Sequence, residues 1–226
     1  MKALDRPVWS SLITHHAPLA EGGAMARRYQ RDVNLFASAS DDGAEARRAL
    51  KALVAPDERV FVLQVPPIVV PCGLKALKRA MGVQMLAETP ISPVPAGPGE
   101  IVALTDADAP DMLALATMTE PGPFLARTHA MGRFLGIRLD GRLAAMAGER
   151  MHMPGFTEVS GVCTHPDFRG QGLARRLSAA VAAAIQARGE LPFLHAWQSN
   201  QPAIDLYHQL GFRLRAEVNV AVLARQ

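Results

Sequence analysis

The segment Val162 to Arg176, VCTHPDFRGQGLARR, carries the pattern in this chain best suited to chemistry. A strand ends, Pro166 breaks it, and a glycine-rich turn leads straight into a long amphipathic run. Unpaired N–H groups of a first helical turn, backed by the positive end of the helix dipole, can hold a diphosphate, and Gly170 and Gly172 permit close backbone approach. Arg169 and Arg175 can add charge-assisted hydrogen bonds. Taken alone, the turn reads equally as a tight connection; it is neither a Walker sequence nor a GxGxxG dinucleotide turn. Glu158, His195 and Tyr207 are the nearby residue types suited to proton transfer. By type alone, a strand glutamate is ordinarily solvated and a histidine in FLHAW ordinarily structural. Tyr207, on a stripe with Leu206 and Leu210, would by itself be core.

Spacing narrows these readings. Arg169, Gly172 and Ala174 satisfy R/Q-x-x-G-x-G/A, and 26 residues after Ala174 comes Asn200, opening NQPAIDLYHQLGF. Together the two motifs resemble the GNAT superfamily of acetyl-CoA-dependent N-acyltransferases. The likeness runs from Glu100 to the C-terminus, where the order strand, two helices, hairpin, strand, long helix, strand, short helix, strand also matches that family. Residues before the Pro/Gly-rich segment described below find no counterpart in its common plan.

The resemblance implies that Val162, Cys163 and Thr164 offer backbone groups to the pantetheine arm. It implies that Arg169, Gly170, Gln171, Gly172, Leu173, Ala174 and Arg175 form the pyrophosphate loop, and that Asn200 lies near the pantetheine. Tyr207 then protonates the departing thiolate. Glu158, eleven residues before Arg169, stands where some members keep a glutamate base. It is the first candidate for that role, with Phe156, Val159 and Val162 expected to raise its pKa. His195, five residues before Asn200, competes with it, and a water chain or an acceptor already unprotonated is the remaining option. The implied activity is an N-acetyltransferase: acetyl-CoA and a small-molecule or peptide amine meet in a ternary complex, and transfer is direct. Cys163, inside a strand with no activating histidine near it in sequence, is not expected to be a nucleophile. The alternative is a catalytically silent acyl-CoA-binding regulatory module.

The elements that must position these groups follow from periodicity. Gly172 to Arg188 is apolar at 173, 177, 180, 181, 184 and 185, the stripe of a long helix stopped by Gly189. Strands are expected at 100–104, 156–164, 192–197 and 212–223. Asp140-Gly141 turns a hairpin of 133–139 with 143–151. Asp106 or Asp108 can cap a helix with Pro110 in its first turn, and a second helix is expected from Pro123. Pro202 to Leu210 forms a short helix. Upstream, 34–40 and 59–65 read as strands, 43–54 as a helix, and 74–88 as a helix from Leu74, Leu77, Lys78, Met81 and Met85. Thr89 to Gly99 packs four prolines and two glycines into eleven residues and is read as a linker.

The expected fold is therefore α/β with a mixed sheet: a GNAT-like domain over 100–226, the linker 89–99, and a small N-terminal α/β unit over 1–88. That unit would cap the acceptor cleft or extend the sheet as a degenerate lobe. The acidic residues Asp106, Asp108, Asp111 and Glu120 could attract a cationic amine, though as residues at a helix start they more commonly serve the dipole.

Composition excludes other classes. Of 226 residues, 49% are apolar and 20% charged, as in soluble globular chains and unlike disordered or coiled-coil ones. A net charge of +3 in scattered basic pairs, with 5% aromatic residues, argues against a nucleic-acid partner. The opening residues lack an apolar export core, and Val60 to Cys72 is broken by Gln64, Pro66, Pro67 and Pro71, so no membrane span is expected. Cys72 and Cys163 lie 91 positions apart without metal-ligand spacing; both read as buried free thiols in a reducing, cytoplasmic setting, and no metal is expected.

Overall fold

The computed structural model describes residues 2–92 and 94–226; Met1, and Pro93 within the linker, lie outside the described residues. Its strands are β1 (Ala20–Gly22), β2 (Ala26–Tyr29), β3 (Ala37–Ala39), β4 (Arg59–Gln64), β5 (Leu74–Leu86), β6 (Ile101–Leu104), β7 (Phe134–Leu139), β8 (Arg142–Met153), β9 (Phe156–Thr164), β10 (Leu191–Trp197) and β11 (Arg213–Arg225). Its helices are α1 (Pro7–Leu12), α2 (Ala44–Ala52), α3 (Ala109–Thr119), α4 (Leu173–Ala187) and α5 (Gln201–Leu210). The first three strands form a small antiparallel sheet, and the other eight form a mixed sheet in the order β4-β11-β5-β10-β9-β8-β7-β6.

The mixed sheet is built from both ends of the chain. β5 lies between β10 and β11 and pairs antiparallel with each. This overturns the helix expected over 74–88. Leu77 and Met81, half of the apolar spacing that suggested it, are 53% and 38% exposed, whereas Val83, Met85 and Leu86 are buried by partners more than 100 residues away. Lateral pairing on both edges outweighs the helix propensity of LKALKRAM. Gly82 is required there, because a Cβ would come within 2.9 Å of the Ala196 carbonyl oxygen.

Strand alternation sorts the helices onto two faces. On β8, Ala145 and Ala147 meet the Leu173, Leu177, Val181 and Ile185 stripe of α4, while Met146 between them meets Met112 and Leu115 of α3. On the other wing, Val62 and Ala221 pack with Leu50 of α2, while Leu63 and Val220 face Leu4, Val8 and Leu12. The β7–β8 hairpin turns at Asp140 and Gly141, both left-handed with φ of 51° and 73°.

The second helix expected from Pro123 does not form. Residues 120–127 make a loop, followed by a 3₁₀ turn at Thr128–Met131, because Pro121 and Pro123 lack N–H donors and Gly122 sits at φ 131°. The first does form, with Thr105 and Asp108 as a capping box. The segment 89–99 leads from β5 in mid-sheet to β6 at its edge, tied down on the way. Gln186 bonds to Thr89 and Ile91, and the Arg176 guanidinium donates to the carbonyls of Pro98 and Gly99. No helix among the described residues is long and apolar enough to cross a membrane.

Candidate active site

β9 and β10 run parallel but pair at three positions alone, Phe156 with Leu191, Thr157 with Pro192 and Glu158 with Phe193. Past Glu158 they part, since β10 stays bonded to β5 as far as Trp197 while β9 follows β8 to Thr164. On β9 the three steps from Ser160 to Cys163 oppose two steps on β8, a bulge with Gly161 at φ 62°. Such a bulge re-aims backbone groups, here at the open side of the fork. A cleft of about 370 Å³ passes through the sheet at this point. Val162, Cys163 and Thr164 border it.

At one end lies the turn into α4. Gly172 is the N-cap in the left-handed region at φ 72°, and Gly170 has φ 78°; at neither does any atom stand within 4 Å of where a Cβ would be. The space before the first turn is therefore open. Arg176 is the first residue whose N–H reaches back along the helix, to Gly172 at 3.1 Å, so the first-turn amides of Leu173, Ala174 and Arg175 remain as donors for an anion. Arg169 and Ala174 border the cleft, with Gly170, Gln171, Gly172, Leu173 and Arg175 completing the turn around them. The Arg175 Nε is buried with no partner among the described residues. Asn200 borders the cleft as the N-cap of α5, its Oδ1 accepting from the Ala203 amide at 3.3 Å.

Among the titratable groups the structure departs from expectation. Glu158 is fully buried, and its pKa is lowered to about 2 rather than raised. Burial alone would raise it, but the Arg150 guanidinium, donating from Nε at 2.7 Å and Nη2 at 2.6 Å, outweighs that, with His195 Nδ1 at 2.7 Å assisting. Glu158 stands behind the cleft wall, whereas Arg150 and His195 border the cleft. The His195 tautomer follows from its neighbours: Gln84 accepts at Oε1 from Arg215 (2.8 Å), so its amide nitrogen faces His195 Nε2 at 3.0 Å. His195 thus accepts at Nε2 and donates from Nδ1 to Glu158. Tyr207 lines the cleft, makes no hydrogen bond among the described residues, and has its pKa raised to about 12, by burial first and by Glu158 second. Cys163 is likewise pushed up to about 11 by burial, so it is a protonated core thiol. Cys72, in contrast to expectation, is exposed.

The family model described as FR47-like protein matches residues 134–221. A structure from Novosphingobium aromaticivorans, described as an acetyltransferase of the GNAT family, is 43% identical, with 99% of this chain and 98% of that one covered and a TM-score of 0.90. The chain belongs to the GNAT family. A GCN5-related N-acetyltransferase from Kribbella flavida shares the fold at 22% identity and TM-score 0.67, over 97% of this chain and 95% of its own. A GCN5-related N-acetyltransferase-like protein from Streptococcus suis does so at 15% and 0.64, over 100% and 96%. No curated protein matches.

In this GNAT protein the other end of the cleft is walled by residues that no motif or periodicity singles out. Phe36, Phe61 and Leu63 come from the N-terminal third, Val218 and Val220 from β11. Phe36 bridges to Phe61, their rings edge to face at 6.0 Å, and Val220 pairs with Leu63. Arg150 is a further such residue: it and Glu158 bracket the Pro154-Gly155 turn, and both are buried there, where opposite charges must pair. Of the acidic residues considered for attracting an amine, Asp108 and Asp111 bond to Arg138 and Asp106 to His129, while Glu120 alone of the four borders the cleft. No cluster that could hold a metal occurs among the described residues.

Proposed function

We propose that this protein is an N-acetyltransferase that passes an acetyl group from acetyl-CoA directly to an amine. The observation that carries the reading is the cleft through the β9–β10 fork, with an anion-holding helix start at one end and Tyr207 beside the open backbone of β9. The first turn of α4 and Arg169 hold the coenzyme diphosphate, and the β9 edge takes the pantetheine as an added strand would. The amine nitrogen attacks the thioester carbon; the N–C bond forms, and the C–S bond breaks with its electron pair on sulfur. An amide N–H at the β9 bulge polarises the carbonyl. Tyr207, kept protonated, gives its proton to the thiolate, and the nitrogen's surplus proton restores it through water.

Neither candidate base is well placed to abstract that proton. A carboxylate with a pKa near 2 is too weak, and both ring nitrogens of His195 are engaged. The apolar wall disfavours an ammonium, so the acceptor binds neutral. Glu158 and His195 are positioning residues in this account. Replacing Tyr207 with Phe should lower turnover with little change in CoA affinity, read by mass spectrometry of products from an amine panel; unchanged turnover removes Tyr207 from the mechanism. Coenzyme binding with no acetylated amine would favour the regulatory binding module.

A further inference from the structure

The acceptor end of the cleft has an uneven charge inventory. Phe36, Phe61, Leu63, Val218 and Val220 form an apolar wall, and the one charged group set into it is the Arg150 guanidinium. Arg150 is 9% exposed, its Cζ lying 5.0 Å over the Phe36 ring. Two of its nitrogens are spent on Glu158, and the third, Nη1, has no hydrogen-bond partner among the described residues. The 121–123 loop borders the same cleft, and a Cβ on Gly122 would stand 3.8 Å from Nη1. The Glu158 Oε1 atom accepts from both Arg150 and His195, so guanidinium and imidazole flank the point where the strands part. A buried guanidinium edge with donors to spare, framed by aromatic and branched aliphatic side chains, suits a planar carboxylate borne by an apolar molecule.

We propose that the acceptor is a free α-amino acid with an aromatic or branched aliphatic side chain, its carboxylate held by Arg150 and its side chain lying on the Phe36–Phe61–Leu63 wall. This rests on the N-acetyltransferase reading above. The short separation of amine and carboxylate in an α-amino acid lets the carboxylate meet Arg150 while the nitrogen faces the β9 bulge. Polycationic acceptors fit poorly, because Glu120 at the α3 end is the sole carboxylate bordering the cleft among the described residues.

The test compares matched pairs in wild-type protein with saturating acetyl-CoA, thiol release and product mass being followed together. The pairs are L-phenylalanine with phenethylamine and L-leucine with 3-methylbutylamine, and spermidine and a lysine-rich peptide are run beside them. The carboxylated member should have the higher kcat/KM by roughly 10- to 100-fold, the range expected for hydrogen bonds to a charged group. In Arg150→Lys, which keeps a cation opposite Glu158 but loses the fork, that ratio should collapse towards one while acetyl-CoA affinity holds. Equal rates within the pairs, or preference for spermidine or the peptide, overturn the acceptor assignment and leave the transferase standing. Acetylation of nothing in the panel overturns both. Should Arg150→Lys fail to fold, the wild-type pairs decide alone.

Discussion

Replacing Glu158 with Gln separates a positioning carboxylate from a catalytic base. The substitution keeps shape and removes charge, leaving the Arg150 guanidinium buried without its counter-ion. Glu158 has its pKa lowered from 4.5 to about 2, a shift that corresponds to about 3 kcal/mol of native-state stability near neutral pH. Breaking a buried pair from one side costs about 3–5 kcal/mol, because it leaves the other charge buried and uncompensated. For a chain of this size that is a fall in Tm of roughly 6–12 °C. A depressed carboxylate stabilises fully above its unfolded pKa and loses that contribution as pH falls through its folded one. The gap between wild type and Glu158→Gln should therefore be full at pH 7 and narrow from pH 4.5 towards 2. Urea midpoints across that range measure it. Activity supplies the second half: the rate–pH profile should keep its shape in the variant and follow the pKa of the acceptor amine when two acceptors of different basicity are compared. A variant of unchanged stability that loses about 10²–10⁴ in kcat, together with one limb of its pH profile, would show Glu158 to be a general base and not a positioning residue.

Two further outcomes test the burial of His16 and of Cys163. His16 has its pKa lowered to about 4, chiefly by burial, with its Nε2 at 2.9 Å from the Met131 carbonyl; the unfolded chain takes up the proton first. Stability should thus fall by about 3 kcal/mol as pH drops from 6.5 to 4, and His16→Asn should flatten that slope in urea titrations. Iodoacetamide should label Cys72 alone in the native protein and both cysteines after unfolding, as read by peptide mass.

Local signals made most of the catalytic half legible. The Asp140-Gly141 turn, the α4 stripe and the glycine-rich turn each depend on residues close in sequence, and each stands within a residue or two of its expected place. β5 was hidden because its partners β10 and β11 lie more than 100 residues downstream, and nothing in LKALKRAMGVQML announces them. The cleft wall is hidden for a like reason: Phe61 and Leu63 take their places in it only when β4 pairs with β11, more than 150 residues downstream, with Phe36 bridged to Phe61. The position of Glu158 is legible in the sequence, but its ionisation is not: its apolar strand neighbours point to a raised pKa, whereas Arg150 across the β8–β9 turn lowers it. A side chain's pKa is set by what faces it in space, and a single bidentate guanidinium outweighs complete burial here.

Acetyl transfer by this protein requires that the start of α4 grip a coenzyme diphosphate. Calorimetric titration of the wild-type protein with acetyl-CoA and, separately, with S-acetylpantetheine, which carries the same thioester without phosphates, measures this directly. Acetyl-CoA should saturate one site per chain, and S-acetylpantetheine should bind at least about 100-fold more weakly, as the loss of charge-assisted bonds to a diphosphate requires. Equal affinity for the two, or no binding of acetyl-CoA at millimolar concentration, would contradict it.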